Sequence, residues 1–242
     1  MNEKINQKTD RIQKIIEKYN KVVKLDIEAK RKKTKRAYGG VIRAEKGRLV
    51  EDIGKSIIQI SWENISQNPD RIKILGKRFK IPIREEYIER LKNEEIRRYI
   101  QQNIDKFYYS YKPDITVFVD DKIALVMECK AYTENAMLKR VLVDFTLLKS
   151  LYPNIGFVLL QLESQLGGDY SEYTLGKFGS PSTHTLLSYF DIELHIITLL
   201  EGERKVDKPI HKKEFFKPLK RENLEKAIKV ISDILKDRVE EL

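Results

Sequence analysis

The sequence predicts an α/β fold in which a mixed central β-sheet is sandwiched by helices, with helical extensions at the N- and C-terminal ends. Three observations predict it. Residues 112–130, KPDITVFVDDKIALVMECK, read as two apolar strands around a short acidic turn. The passage from 123 to 162 reads strand, helix, strand, which implies a right-handed crossover between parallel strands. Stretches near both ends carry apolar residues at helical spacing.

In chain order, residues 4–30 place Ile5, Ile12, Ile15, Ile16, Tyr19 and Val23 on one helical face. A second helix is expected over 44–64, through Leu49, Ile53, Ile57, Ile58 and Ile60. Residues 65–84, with Pro69, Gly76 and Pro82, read as irregular. A third helix over 84–105 is so polar that it must lie on the surface. FYYSYK (107–112) reads as the first of three strands in hairpin succession. Thr133 is the expected cap of a helix over 133–151. NIGFVLLQL (154–162) is a continuous apolar run, the pattern of a strand covered on both faces. The polar stretch 163–185 reads as a loop, of a length that inside a compact domain is usually functional or disordered. DIELHIITLL (191–200) is a further strand, and 221–242 a closing amphipathic helix. No repeat, low-complexity tract or Pro/Gly/Ser linker divides the chain. One domain is therefore expected over 1–242, with an N-terminal helical extension to about 40, a core over about 44–200 and a C-terminal helix over about 221–242.

The 242 residues are 41% hydrophobic and 35% charged, which fits a globular protein with a heavily charged surface. No apolar run approaches the roughly 18 residues of a membrane span. The N-terminal MNEKINQKTDRIQK lacks the apolar core of a signal peptide, so a cytoplasmic location is expected. The single cysteine, Cys129, excludes an internal disulfide framework and a cysteine-rich zinc site. Abundant Lys, Glu and Ile with so little Cys points to a thermophilic source. The net charge of +10 favours a polyanionic partner, most simply nucleic acid. KRKKTKR holds six basic residues in seven (Lys30, Arg31, Lys32, Lys33, Lys35 and Arg36) and leads into a flexible Gly39-Gly40 pair. HKKEFFKPLKR (211–221) interleaves Lys and Arg with Phe215 and Phe216. Such runs suit phosphate contact, which is independent of sequence and sensitive to salt.

The hairpin opens with Asp114 and closes with Glu128 and Lys130, charges that a buried strand would ordinarily avoid. With a loop of three residues, Asp120, Asp121 and Lys122, strand positions pair when their numbers sum to 242, and Asp114 then faces Glu128. Lys130 shares their face by alternation. The opposite face, Ile115, Val117 and Val119 against Ile123, Leu125, Met127 and Cys129, is apolar and belongs to the core. A two-residue turn would shift the register and spoil this placement. Opposed carboxylates repel unless a cation lies between them, and oxygen ligands without a His or Cys cluster select Mg²⁺ or Mn²⁺. A lysine beside such an ion can orient a water and help to deprotonate it, while the ion stabilises charge on a phosphate. On a basic protein that is a phosphodiester hydrolysis site.

Pro113-Asp114, thirteen intervening residues, then Glu128-Cys129-Lys130 resembles the motif of the PD-(D/E)XK nuclease family, and the order of helices and strands resembles that family's restriction-endonuclease-like core. The resemblance, which covers about residues 44–162, implies Asp114 and Glu128 as metal ligands, Cys129 as a backbone ligand and Lys130 as the residue that activates water. EKGRLVEDIGKSI resembles the helix from which members often supply a further acid, with Glu51 the first choice and Asp52 the alternative.

Other candidates carry less. His184, His195 and His211 show no metal-ligand spacing. His195 alternates within an apolar strand and reads as structural, whereas His184, in the polar loop, is a candidate for touching a base or phosphate. The Cys129 thiol faces the core, where it would be inert. GGDYSEYTLGKFG has glycines without the strand-turn-helix setting of a phosphate loop. Lys139 and Arg140 on the crossover helix, and Gln161, Glu163, Ser164, Gln165, Tyr170 and Lys177 beyond it, are the donors and acceptors available to read base edges.

The expected activity is that of a Type II restriction endonuclease, in which metal-activated water attacks phosphorus in line and leaves a 5′-phosphate and a 3′-hydroxyl. A homodimer on double-stranded DNA is expected, because each site cuts one strand and a palindrome presents two equivalent phosphates. The alternatives are a structure-specific nuclease of the same fold, such as a Holliday-junction resolvase or repair nuclease, and an inactive DNA-binding protein.

Overall fold

The structure, a computed structural model, describes residues 2–31, 36–66, 68–167, 179–208, 210 and 212–240; within these, side chains are described outside 2–9, 26, 29–31, 36–46 and 239–240. Five strands form the central sheet: β1 (Ile72–Leu75), β4 (Ile115–Val119), β5 (Lys122–Glu134), β6 (Gly156–Gln165) and β7 (Leu194–Thr198), side by side in that order. β1, β4 and β5 run antiparallel to their neighbours, while β5, β6 and β7 are parallel, so the sheet is mixed. Two further strands, β2 (Phe79–Pro82) and β3 (Tyr108–Tyr111), pair as a separate antiparallel ribbon.

Helices cover both faces. On one side α1 (Asn2–Arg31), α2 (Arg36–Ile65) and the closing helix α7 (Arg221–Glu240) share a single apolar cluster with the sheet. Ile12, Tyr19 and Val23 of α1 meet Ile53 and Ile57 of α2 and Ile228 and Leu235 of α7 there, all buried. On the other side α5 (Asn135–Lys149), the crossover between β5 and β6, packs Leu138, Val141, Leu142 and Phe145 under the ribbon. The short α3 (Glu85–Glu89) and α4 (Glu94–Gln102) link the ribbon strands, and α6 (Pro181–Ser188) precedes β7.

Several elements differ from the sequence reading. α2 starts at Arg36 rather than 44, so Gly39 and Gly40 lie in helix and not in a flexible hinge. The stretch 65–84 contains β1 and β2. The polar helix over 84–105 is broken at 90–93, where Asn93 caps α4 through its side chain. FYYSYK does form a strand, but it joins the ribbon rather than the central sheet. Thr133 is not a helix cap, because β5 runs on to Glu134 in register with β6. Within 163–185, residues up to Gln165 extend β6, and α6 begins at Pro181 with Ser180 accepting from the Thr183 amide.

The β4–β5 hairpin settles the register by an unexpected route. Its turn holds two residues, Asp120 and Asp121, both with positive φ (48° and 65°), the backbone of a tight hairpin turn. Near the turn the pairs Val119↔Lys122 and Phe118↔Ile123 are one residue out of the expected register. A bulge at Ala124 restores it, and Val117↔Leu125, Thr116↔Val126 and Ile115↔Met127 follow. The same bulge moves Ile123 off the face predicted for it, against the cluster around α5. Non-glycine residues with positive φ carry steric cost, about 1 kcal/mol each, so Asp121→Gly is expected to raise the melting midpoint by about 2 °C. An unchanged or lower midpoint would mean that the lost Lys73–Asp121 ion pair (2.6 Å) outweighs the relief.

Candidate active site

The restored register leads directly to the charged end of the hairpin. Continued one residue past Ile115↔Met127, it sets Asp114 opposite Glu128. The Lys130 ammonium reaches both, lying 3.4 Å from Asp114 Oδ2 and in close contact with Glu128 Oε2. Asp114 Oδ2 also accepts the Cys129 amide at 2.7 Å, so the backbone of one strand fixes the carboxylate of the other. The sheet thus brings Asp114, Glu128 and Lys130 together around one point, with the Cys129 backbone beside them.

The electrostatics follow from depth. Glu128 is 8% exposed. Burial raises its pKa and Asp114 adds to the rise, while Lys130 and the Tyr111 hydroxyl oppose it. Burial works against the Lys130 charge, but Glu128 and Asp114 together hold its pKa above the ordinary lysine value. Both acids are turned to it, so the Lys130 ammonium is held at the point where the two carboxylates converge. The Cys129 side chain points into the apolar cluster beneath α2, and burial raises its pKa far from thiolate.

Glu51 and Asp52 are adjacent on α2 but differ in surroundings. Burial raises the Glu51 pKa, and among the charges acting on it Asp114 has the largest effect. Asp52 instead pairs with Lys18 of α1 at 2.5 Å. Among the described residues no three His, Cys, Asp or Glu side chains stand close enough to hold a metal ion by themselves. Two carboxylates on one cationic point nevertheless suit Mg²⁺, which typically takes one or two carboxylates and completes its shell with water and phosphate oxygens.

One residue of this site escaped the sequence reading. Tyr111, the last residue of β3, is buried and its hydroxyl donates to Glu128 Oε1 at 2.8 Å. That bond takes up one carboxylate oxygen and leaves Oε2 facing Lys130. Next to it, the Tyr109 hydroxyl donates to Asp144 of α5 at 2.7 Å. The available signal was an aromatic strand ending immediately before Pro113-Asp114.

The remaining candidates are dispersed. Lys139 and Arg140 are exposed on α5, and the charge of Arg140 acts on Tyr109. Gln165 ends β6 and accepts a short hydrogen bond from Arg204, whose guanidinium lies 3.9 Å over the Tyr132 ring. His184 is exposed on α6. His195 is half-buried in β7, and burial lowers its pKa. Lys32, Lys33, Lys35, Tyr170, Lys177 and His211 lie outside the described residues, as do the side chains of Lys30, Arg31 and Arg36. In the second basic run, Lys217 is engaged by buried Glu163 at 3.0 Å and Lys220 by Glu201 at 2.6 Å, while Phe216 packs on Tyr19. These lysines hold the chain to itself. No described helix is long and apolar enough to cross a membrane.

No protein-family model matches the chain. A solved structure described as a native BbvCI A2B2 tetramer at low resolution aligns with 97% of this chain and 89% of its own, at 14% identity and a TM-score of 0.39, a likeness too distant to bear on fold or function. In contrast, the Type II restriction enzyme DdeI of Desulfomicrobium norvegicum is 47% identical over 231 residues, spanning 93% of this chain and 96% of its own length. Identity at that level over nearly the whole of both chains shows the family: the chain belongs to the Type II restriction enzymes, the site-specific endodeoxyribonucleases.

Proposed function

We propose that Asp114, Glu128 and Lys130 form a PD-(D/E)XK-type centre, on a restriction-endonuclease-like core, with which this chain hydrolyses phosphodiester bonds at a specific sequence in double-stranded DNA. The observation that carries it is the convergence of one ammonium on two strand-end carboxylates. The kinship with a Type II restriction enzyme favours this over a junction- or repair-specific nuclease and over an inactive binding protein.

Asp114 and Glu128 would hold Mg²⁺, with Mn²⁺ expected to substitute, the Cys129 carbonyl assisting and Glu51, on whose charge Asp114 acts, as a supporting acid ahead of Asp52, which pairs with Lys18. When bound, the ion supplies positive charge for the scissile phosphate's oxygens and acidity for a coordinated water. The protein's own part is positional. Tyr111 and the Cys129 amide fix the two carboxylates, and the Lys130 ammonium orients a water by donating to it while its charge favours the more negative transition state. In-line attack of that water leaves a 5′-phosphate and a 3′-hydroxyl. Packing of α1 and α7 into the same cluster as α2 supports one nuclease domain over 1–242, and cutting of both strands calls for a homodimer. Lys30 to Arg36, Lys139, Arg140, Gln165, Lys177 and His184 remain candidates for DNA contact.

The test is digestion of unmethylated phage DNA with Mg²⁺, with Mn²⁺ and with EDTA. Discrete bands with either metal and none with EDTA are expected. A smear would indicate a nuclease without sequence specificity, and intact DNA under every condition would overturn the proposal.

A further inference from the structure

The β2–β3 ribbon has two dissimilar faces. Its register, Phe79↔Tyr111, Lys80↔Ser110, Ile81↔Tyr109 and Pro82↔Tyr108, puts Phe79, Ile81 and Tyr111 inward against α5. Lys80, Ser110, Pro82 and Tyr108 lie on the outer face, exposed. One residue further along, the same register sets Arg78 opposite Lys112, also exposed on that face. The outer face therefore carries three cations, a hydroxyl, an aromatic ring and no acid.

Arg78 donates to Ser110 Oγ at 3.1 Å, and the Lys80 ammonium lies 4.5 Å from the Tyr108 ring centre. Among the described residues none of Arg78, Lys80 and Lys112 forms an ion pair with a carboxylate. On adjacent β1 and its approach the pattern is the opposite, since Arg71 pairs with Asp120 and Lys73 with Asp121. Like charges directly opposed on a ribbon are unfavourable unless an anion lies over them. The ribbon also runs straight into the site. Tyr111 holds Glu128, and Lys112-Pro113 leads to Asp114, with the charge of Lys112 reaching Glu51.

We infer that the outer face of the β2–β3 ribbon, through Arg78, Lys80 and Lys112, binds the phosphate backbone of duplex DNA beside the scissile phosphate. The inference rests on the function proposed above, and it names a contact surface that function does not itself require. Each phosphate contact contributes about 0.9 to the slope of log affinity against log salt, so three contacts contribute roughly two to three.

The experiment is anisotropy of a fluorescent duplex that carries a cleavage site mapped from wild-type digestion, titrated in EDTA across a range of salt. The variant Arg78→Ala/Lys80→Ala/Lys112→Ala is expected to bind at least about tenfold more weakly and to lower the slope by about two to three. The control Lys226→Ala/Lys229→Ala/Lys236→Ala removes the same charge from α7 and is expected to change the slope by less than about one. Thermal melting of both variants, expected within about 2 °C of wild type because all six side chains are exposed, separates lost contact from lost fold. A ribbon variant with wild-type affinity and slope, or one matched by the control, overturns the inference while the proposed function stands. Failure of the wild type to cut or bind duplex overturns both.

Discussion

Lys130→Ala is expected to lower DNA cleavage by about a thousandfold or more, the scale lost when a group that orients water and offsets transition-state charge is removed. Among the described residues Lys130 is the one cation shared by Asp114 and Glu128. Its loss also leaves Glu128, nearly buried, without its main counter-charge. The stability cost should be about 1–2 kcal/mol, below the figure for a fully buried pair because the Lys130 side chain is 30% exposed. Metal affinity should move the other way. With no ammonium competing for the two carboxylates, Lys130→Ala should bind Mg²⁺ at least as tightly as wild type in calorimetry, although it cannot cut. Asp114→Asn should lose both binding and cleavage. A Lys130→Ala protein that digests DNA at the wild-type rate, or an Asp114→Asn protein that binds Mg²⁺ normally, would remove these residues from the roles proposed for them.

Gly54→Leu should cost about 3 kcal/mol or more and lower the melting midpoint by roughly 6–12 °C. α2 crosses the sheet at this glycine. A Cβ there would already stand 3.0 Å from Ile115 Cδ1, 3.0 Å from the Met127 sulfur and 3.1 Å from Leu160 Cδ2. Those three side chains are themselves fully buried, so they have nowhere to retreat. Glu51 lies three residues earlier on the same helix, so lifting α2 from the sheet also draws its carboxyl away from Asp114. Cleavage should therefore fall even at temperatures where the variant remains folded. Gly54→Ala adds only the crowded Cβ and gains about 1 kcal/mol of helix propensity in return, so it should cost far less than the leucine. A Leu variant that melts like wild type would mean that α2 rides further from the sheet than the contacts at Gly54 require.

Much of the site was legible because it is local. Asp114, Glu128 and Lys130 lie on one hairpin, and period-two alternation together with register is enough to bring them to one point. A three-residue loop would set that register directly. The actual two-residue turn leaves the charged end in place only because the bulge at Ala124 returns the residue that the turn removes. The sequence put Glu51 first and kept Asp52 as the alternative, because neighbours on a helix differ only in the direction they face. The Lys18–Asp52 pair from α1 and the action of Asp114 on Glu51 support that order. The start of α6 was readable in principle, from Ser180 and Pro181 at its N-terminus, but the surrounding polar residues masked it.

By itself the sequence determined the helix–sheet layering, the parallel crossover around α5 and the hairpin that carries the charged trio, because each follows from periodicities within a short window. Only the tertiary structure decided that IKIL is the sheet's edge strand, that the aromatic strand leaves the sheet to pair with FKIP, and that Tyr111 thereby reaches Glu128. Strands of four residues carry almost no periodic signal, and their stability lies in partners tens of residues away. Which partner a short strand finds is a property of the folded chain.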